Sequence, residues 1–147
     1  FVGTSAGYGF RTTIIDLHTK NKAGKSVVKI SPYAQVVQPK LIHDDNSLIV
    51  AVSNEGRMLV FDISNVPKLA KGKGNKIINI PSARLKRGEE WVVDYAIVGQ
   101  GTSLLVYSGK RYLSLKYGDL EHYIGERGRR GHKLPRGFQR VDYLKSE

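Results

Sequence analysis

The sequence predicts an all-β protein built as a propeller-like or solenoid array of small sheets. Short runs of β-branched and aromatic residues, bounded by Gly, Pro, Asn and Asp, recur along the 147 residues, and such runs are typical of strands and turns. No stretch keeps a 3.6-residue apolar period long enough for a long helix. The order of the runs repeats three times at intervals of about 50 residues, as in repeat architectures. We therefore expect three units, at residues 1–46, 47–102 and 103–147.

The first unit begins with residues 1–15, in which glycines separate runs that predict two strands joined by a tight turn. The first basic loop, residues 22–26 (KAGKS), follows and leads into a predicted strand at 27–30. A further extended piece is expected at 35–42.

The later units repeat this order more clearly. The second unit has predicted strands at 47–53 and 57–63, the second basic loop at 71–76 (KGKGNK), a predicted strand at 77–80 and a closing strand at 91–98. The third unit begins with a strand at 103–108, followed by the third basic loop at 127–133 (RGRRGHK) and a last strand at 139–144. A sandwich with accidental internal similarity is the weaker alternative.

The charge balance predicts a polyanionic partner. Lys and Arg number 24 against 13 Asp and Glu, which gives a net charge of +11. An anionic membrane is disfavoured, because no apolar run approaches the roughly 20 residues of a membrane span and the cations lie in glycine loops. Nucleic acid is the better partner. The absence of cysteine excludes a disulfide scaffold and cysteine-ligated zinc, and it fits the cytoplasm.

The positive charge is concentrated in two stretches. Residues 63–88 contain seven cations and no acid, and residues 127–140 contain six cations with acids only at the margins. A solvated face normally mixes both signs, so these stretches predict a surface that follows a phosphate backbone. The predicted nucleic-acid-binding residues are Lys22, Lys25, Lys68, Lys71, Lys73, Lys76, Arg84, Lys86, Arg87, Arg127, Arg129, Arg130, Lys133 and Arg136.

No catalytic residue, metal site or cofactor is expected. Residues 24–26 end like a phosphate-binding P-loop, but Thr19 occupies the place of the required earlier glycine and a strand follows instead of a helix. The four histidines lack ligand spacing. Asp44 and Asp45 are interpreted as a turn rather than as a cation site.

Three runs resemble the C-terminal domains of the A subunits of bacterial type IIA DNA topoisomerases. These are residues 56–61 (GRMLVF), 71–81 (KGKGNKIINIP) and 125–131 (GERGRRG), and the likeness extends over nearly the whole chain. Gyrase A subunits carry a box of the form Gln-Arg-Arg-Gly-Gly-Lys-Gly. Neither the second nor the third basic loop reproduces it, so topoisomerase IV is favoured and gyrase is the alternative.

The resemblance implies a β-pinwheel, with propeller-like blades of about four antiparallel strands and a strand exchanged between neighbouring blades. It implies an outer rim that binds and bends duplex DNA without sequence preference. The domain would present DNA segments to a separate breakage–reunion core for decatenation and relaxation. The implied partners are duplex DNA and, in the complete protein, the ATPase B subunit with a second A subunit. The implied location is the bacterial cytoplasm.

The same resemblance places the active-site tyrosine on the core, so we do not interpret Arg111–Tyr112 as catalytic. The chain begins at Phe1 within an apolar run, and we expect a fragment of a longer protein. A basic β-propeller that binds RNA or an acidic protein remains a less favoured alternative.

Overall fold

The computed structural model describes residues 1–13, 33–43, 46–69 and 72–147. Strands are the main regular elements in the described part of the chain, which also has one five-residue α-helix and 3₁₀ turns at Ile63–Asn65 and Tyr117–Tyr123. The elements are β1 (Val2–Thr4), β2 (Tyr8–Phe10), β3 (Val36–Val37), β4 (Leu48–Ser53), β5 (Arg57–Asp62), β6 (Asn75–Lys76), α1 (Ser82–Lys86), β7 (Val92–Val98), β8 (Ser103–Ser108), β9 (Arg111–Lys116), β10 (His132–Lys133) and β11 (Tyr143–Ser146).

These strands form three antiparallel sheets with equivalent connections. Their orders are β3-β1-β2-β6, β7-β4-β5-β10 and β11-β8-β9. Each sheet is based on a hairpin of consecutive strands, and a later strand joins the first strand of that hairpin. The predicted all-β, propeller-like fold is confirmed.

Two of the sheets are completed by a strand that follows much later in the sequence. In the first sheet, β6 pairs with β2 through Tyr8↔Lys76 and Gly9↔Asn75. In the second sheet, β10 pairs with β5 through His132↔Met58 and Lys133↔Arg57. The structure therefore contains the strand exchange that the resemblance implies, and the exchanged strands lie within the second and third basic loops.

This arrangement corrects the strand predicted at 77–80. The strand is β6, inside the predicted loop, whereas Ile77, Ile78 and Ile80 are buried between the first two sheets. The chain turns inward after Lys76 because the amide of Ile77 donates to the carbonyl of Gly7 over 2.7 Å and the isoleucine side chains gain more from burial than from sheet pairing. The strand predicted at 27–30 lies outside the described residues.

The second sheet lies between the other two and contributes to a core on each of its faces. Side chains alternate along β4, because successive residues of a strand point to opposite faces. Ile49 and Ala51 pack toward the first sheet, while Val50 and Val52 pack toward the third. Both faces of β4 are therefore apolar, as expected of a central layer.

Asp94, in β7, contacts residues from all three predicted units. Its carboxylate accepts hydrogen bonds from the amides of Tyr95 and Leu144, each over 2.9 Å, and Lys40 Nζ lies 3.2 Å away. Because the carboxylate is buried, these three partners compensate for its lost hydration. Lys40, Asp94 and Leu144 belong to the first, second and third predicted units.

Candidate nucleic-acid interface

A glycine of left-handed conformation precedes each exchanged strand. Gly74 has φ +81° before β6, and Gly131 has φ +79° before β10. A side chain at Gly131 would place its Cβ 2.5 Å from the carbonyl oxygen of Met58, and one at Gly74 would meet the backbone of Gly9. Only glycine allows both the turn and this close backbone approach. The glycines of the basic loops therefore fix the loops against the preceding sheet.

The third basic loop also lies directly against the chain that leaves the second. Gly128 N donates to the carbonyl of Ile77 over 2.8 Å, and Asn79 N donates to the carbonyl of Arg129 over 2.9 Å. The guanidinium of Arg127 donates to the carbonyl of Lys76 over 3.0 Å. The described residues 72–79 and 127–133, here called the paired loops, therefore form one continuous surface.

The structure places the predicted contact residues in three groups. Lys22, Lys25 and Lys71 lie outside the described residues. Arg84 and Arg130 are half-buried. The remaining nine are exposed, namely Lys68, Lys73, Lys76, Lys86, Arg87, Arg127, Arg129, Lys133 and Arg136.

Four of the predicted arginines are neutralised by carboxylates. Arg84 and Arg130 both reach Glu90, at 3.5 and 3.0 Å. Arg84 also contacts Glu55 at 2.5 Å. The side chain of Arg87 hydrogen-bonds that of Glu89, which lowers the pKa of the glutamate. The fourth, Arg129, pairs with Glu126 at 3.0 Å. Residues 84 and 87 thus belong to a stretch that is free of acids in sequence but has carboxylates beside it in space.

The lysines of the paired loops have no described carboxylate within ion-pair distance. Lys73 Nζ lies 4.1 Å above the ring of Tyr8, and Lys76 Nζ donates to the side-chain oxygen of Asn79 over 3.4 Å. Lys133 and Arg127 are likewise without an ion pair among the described residues. Their positive charge is therefore available for an anion.

Sequence reasoning missed Asn79, Arg57 and Glu90. Asn79 is bonded through both its backbone groups to the third loop, and Arg57 donates to the carbonyl of Gly131 over 3.3 Å. Glu90 has no exposed surface. The one sequence signal for Glu90 is that Glu89 and Glu90 end the acid-free stretch.

Tyrosines form a row across the third sheet rather than packing inside it. Tyr107 stacks on Tyr143 with ring centroids 4.4 Å apart, and Tyr112 lies 6.0 Å from Tyr107 on the other side. Tyr112 is 63% exposed. Within the described residues, no helix is long and apolar enough to cross a membrane.

Strand-exchanging antiparallel sheets, with glycine-rich basic loops along one side, define a propeller-like β-array. The chain belongs to the family described as DNA gyrase C-terminal domain, beta-propeller, whose model matches residues 1–42 and 47–97.

Known proteins of this family resemble the chain over nearly its whole length. It is 51% identical over 144 residues to the A subunit of DNA topoisomerase 4 from Pseudomonas aeruginosa, and 43% identical over 141 residues to that from Escherichia coli K12. The matches cover 97% and 96% of the chain but 19% of each relative. The chain thus spans about a fifth of the length of these relatives. The resemblance to the A subunit of topoisomerase IV is confirmed.

Solved structures support the same assignment. The C-terminal domain of E. coli ParC is 38% identical, with a TM-score of 0.84 over 99% of this chain and 59% of that chain. The DNA gyrase A C-terminal domain, at 18% identity and a TM-score of 0.71, shares the fold; the match covers 95% of this chain and 45% of that one.

Proposed function

We propose that the chain binds duplex DNA with little sequence preference along the paired loops and bends the duplex around them. The observation that carries this proposal is the hydrogen-bonded contact between the two loops, which joins Lys73, Lys76, Arg127 and Lys133 in one surface. Such a surface suits a phosphate backbone rather than base edges. The helix α1 has only five residues, and Arg84 within it is paired with acids, so it is unsuited to reading a groove.

In the complete protein, this domain would present DNA segments to a separate breakage–reunion core, in the bacterial cytoplasm, for decatenation and relaxation. The chemistry would be supplied by that core together with a second A subunit and an ATPase B subunit. The chain itself would contribute binding. Tyr112 stands exposed on β9 beside Tyr107, and replacing it with Phe should leave DNA affinity unchanged.

The first test is the salt dependence of binding to a mixed-sequence duplex. If about five phosphates are neutralised, a fourfold rise in salt should weaken binding several-hundred-fold, because each contact releases about 0.9 counterion. End-to-end fluorescence transfer in the same duplex reports the bend. Affinity that does not change with salt contradicts the proposal, and tighter binding to duplex RNA of equal length favours the RNA-binding alternative.

A second test separates the paired loops from the overall charge. The triple variant K73A/K76A/K133A should bind weakly, with a salt slope shallower by up to about 2.7. The matched control K110A/K116A/K145A removes the same charge from exposed positions in or beside the third sheet. Both variants should keep the wild-type fold, because exposed charges contribute little stability. Equal losses in the two variants would show that net charge, and not the paired loops, determines binding.

The same pair of variants tests the proposal in the complete enzyme. The loop variant should lose decatenation while DNA cleavage by the core persists, and the control variant should retain both. Loss of cleavage in the loop variant would contradict a role confined to DNA presentation.

A further inference from the structure

A buried carboxylate lies behind the paired loops. Glu90 has no exposed surface, in a protein with a net charge of +11. A carboxylate removed from water costs stability unless cations and hydrogen bonds replace its hydration. For Glu90 these replacements come from two arginines that the sequence predicts as nucleic-acid contacts.

Arg130 reaches Glu90 from the third basic loop, 40 residues later. Its two terminal nitrogens lie 3.0 and 3.2 Å from the two carboxylate oxygens. One of these nitrogens also donates to the carbonyl of Asn79 over 2.8 Å. The guanidinium therefore hydrogen-bonds one oxygen of Glu90 and the carbonyl of Asn79, and it lies within ion-pair distance of the other Glu90 oxygen.

Arg84 completes the arrangement from α1. It lies 3.5 Å from Glu90 and bridges to Glu55 in the turn between β4 and β5. Glu90 is thereby connected to the hairpin of the second sheet as well as to the third loop. The arrangement links the loop to a central, well-packed part of the fold.

We propose that Glu90 and Arg130 are positioning residues, which hold the third basic loop against the second in the orientation that binds DNA. Arg130 then serves DNA binding through the loop and not by contacting phosphate. This inference rests on the proposed function and assigns a different role from the phosphate contact predicted for Arg130 and Arg84.

Replacing Glu90 with a neutral residue should change the strength of DNA binding in the direction opposite to that expected from charge alone. Removing an acid from a protein that binds a polyanion ordinarily strengthens binding, because the field becomes more positive. Glu90→Gln should instead weaken duplex DNA binding about fivefold, since one charged hydrogen-bonded contact of the loop is lost. Glu89→Gln is the matched control, because Glu89 is exposed and pairs with Arg87. That variant should bind as well as the wild type or better.

A second pair of variants separates charge from geometry. Arg130→Lys keeps the positive charge but cannot hold Glu90 and Asn79 together, so it should weaken binding as much as Glu90→Gln. Arg111→Lys, the same exchange at an exposed position on β9 outside the paired loops, should bind nearly as the wild type. The double variant E90Q/R130K should be no weaker than either single variant, because the two changes remove one contact.

Hydrogen exchange gives a readout that does not depend on DNA. The amides of Gly128 and Asn79, which join the paired loops, should exchange faster in Glu90→Gln and Arg130→Lys. Amides between β4 and β7 should be unchanged. Faster exchange of both sets in both variants would overturn positioning in favour of a role in global stability.

The remaining outcomes distinguish this inference from the proposed function. If the wild type does not bind duplex DNA, the proposed function fails, and the loop-positioning role in DNA binding fails with it, whatever the exchange rates. If the wild type binds but Glu90→Gln binds as tightly as Glu89→Gln, the function stands and the inference is wrong. Normal binding by Arg130→Lys together with weak binding by Arg130→Ala would show that Arg130 contacts phosphate.

Discussion

Replacing Gly74 with Ala tests whether the exchanged strand depends on a close backbone approach. Gly74 has φ +81°, and its added Cβ would meet the carbonyl group of Gly9 in β2. Gly101 offers a matched control, because its φ is +85° and no atom lies within 4 Å of the position of an added Cβ. Both variants place an alanine in the same unfavourable backbone region, and only Gly74→Ala adds the collision.

The expected costs follow from these two terms. A left-handed alanine costs about 1–2 kcal/mol, and this term is shared by both variants. Overpacking against a backbone that cannot withdraw costs about 1–3 kcal/mol more. At roughly 3 °C per kcal/mol for a chain of this size, Gly101→Ala should lower the Tm by about 3–6 °C. Gly74→Ala should lower it by about 3–9 °C beyond that.

Scanning calorimetry measures both Tm values, and hydrogen exchange at Ile77 locates the damage. The amide of Ile77 donates to Gly7 directly after β6, so it should exchange faster in Gly74→Ala alone. DNA affinity should also fall in that variant alone. Equal Tm values in the two variants, with unchanged exchange at Ile77, would refute the packing argument.

Two further predictions concern the ties between sheets. Asp94→Ala leaves the buried amides of Tyr95 and Leu144 without acceptors, so the free energy of unfolding should fall by about 2–4 kcal/mol in denaturant titrations. The control Glu147→Ala removes an exposed ion pair and should change that free energy by less than about 1 kcal/mol. Equal effects of the two variants would contradict a stabilising role for the Asp94 contacts. Tyr95→Phe removes the 2.7 Å hydrogen bond to the carbonyl of Thr4 and should cost about 1 kcal/mol at neutral pH. Burial raises the pKa of Tyr95 above its ordinary value of 10.0, so the contribution of Tyr95 to stability is complete below pH 10 and is lost as the unfolded state ionises at higher pH. Above pH 10, the free energy of unfolding of the wild type should fall more steeply than that of Tyr95→Phe, by up to about 1.4 kcal/mol per pH unit. Parallel plots of unfolding free energy against pH would contradict this.

The hairpin of the second sheet could be predicted from the sequence because its signals are local. Apolar residues fill 48–52 and 58–61, and Gly56 marks the turn between them with φ +79°. The repeated order of such signals was sufficient to predict the propeller-like array. No long-range contact had to be known for either inference.

The exchanged strands could not be predicted from their own residues. β6 consists of Asn75 and Lys76, two exposed polar residues with no strand preference. They form a strand because β2 offers unpaired backbone groups more than 60 residues earlier in the chain. Glu90 was missed for a related reason, since its burial depends on an arginine 40 residues later. Contacts that reach from one unit into the next leave no periodic signal.

The exchange of strands also determines where this kind of array can be cut and rejoined. The boundary between the predicted second and third units falls near residue 102, but a break there would separate β10 from the sheet that it completes. A break after β10 would instead separate β11 from β8 and β9, so no single cut between these two units leaves both sheets whole. The module that a gene duplication copies most easily is therefore offset from the module that folds. Any gain or loss of a unit must preserve this strand exchange. The basic loops that contain the exchanged strands are gained or lost together with the unit. Adding a unit then also lengthens the basic surface, so the size of the array and its positive charge change together.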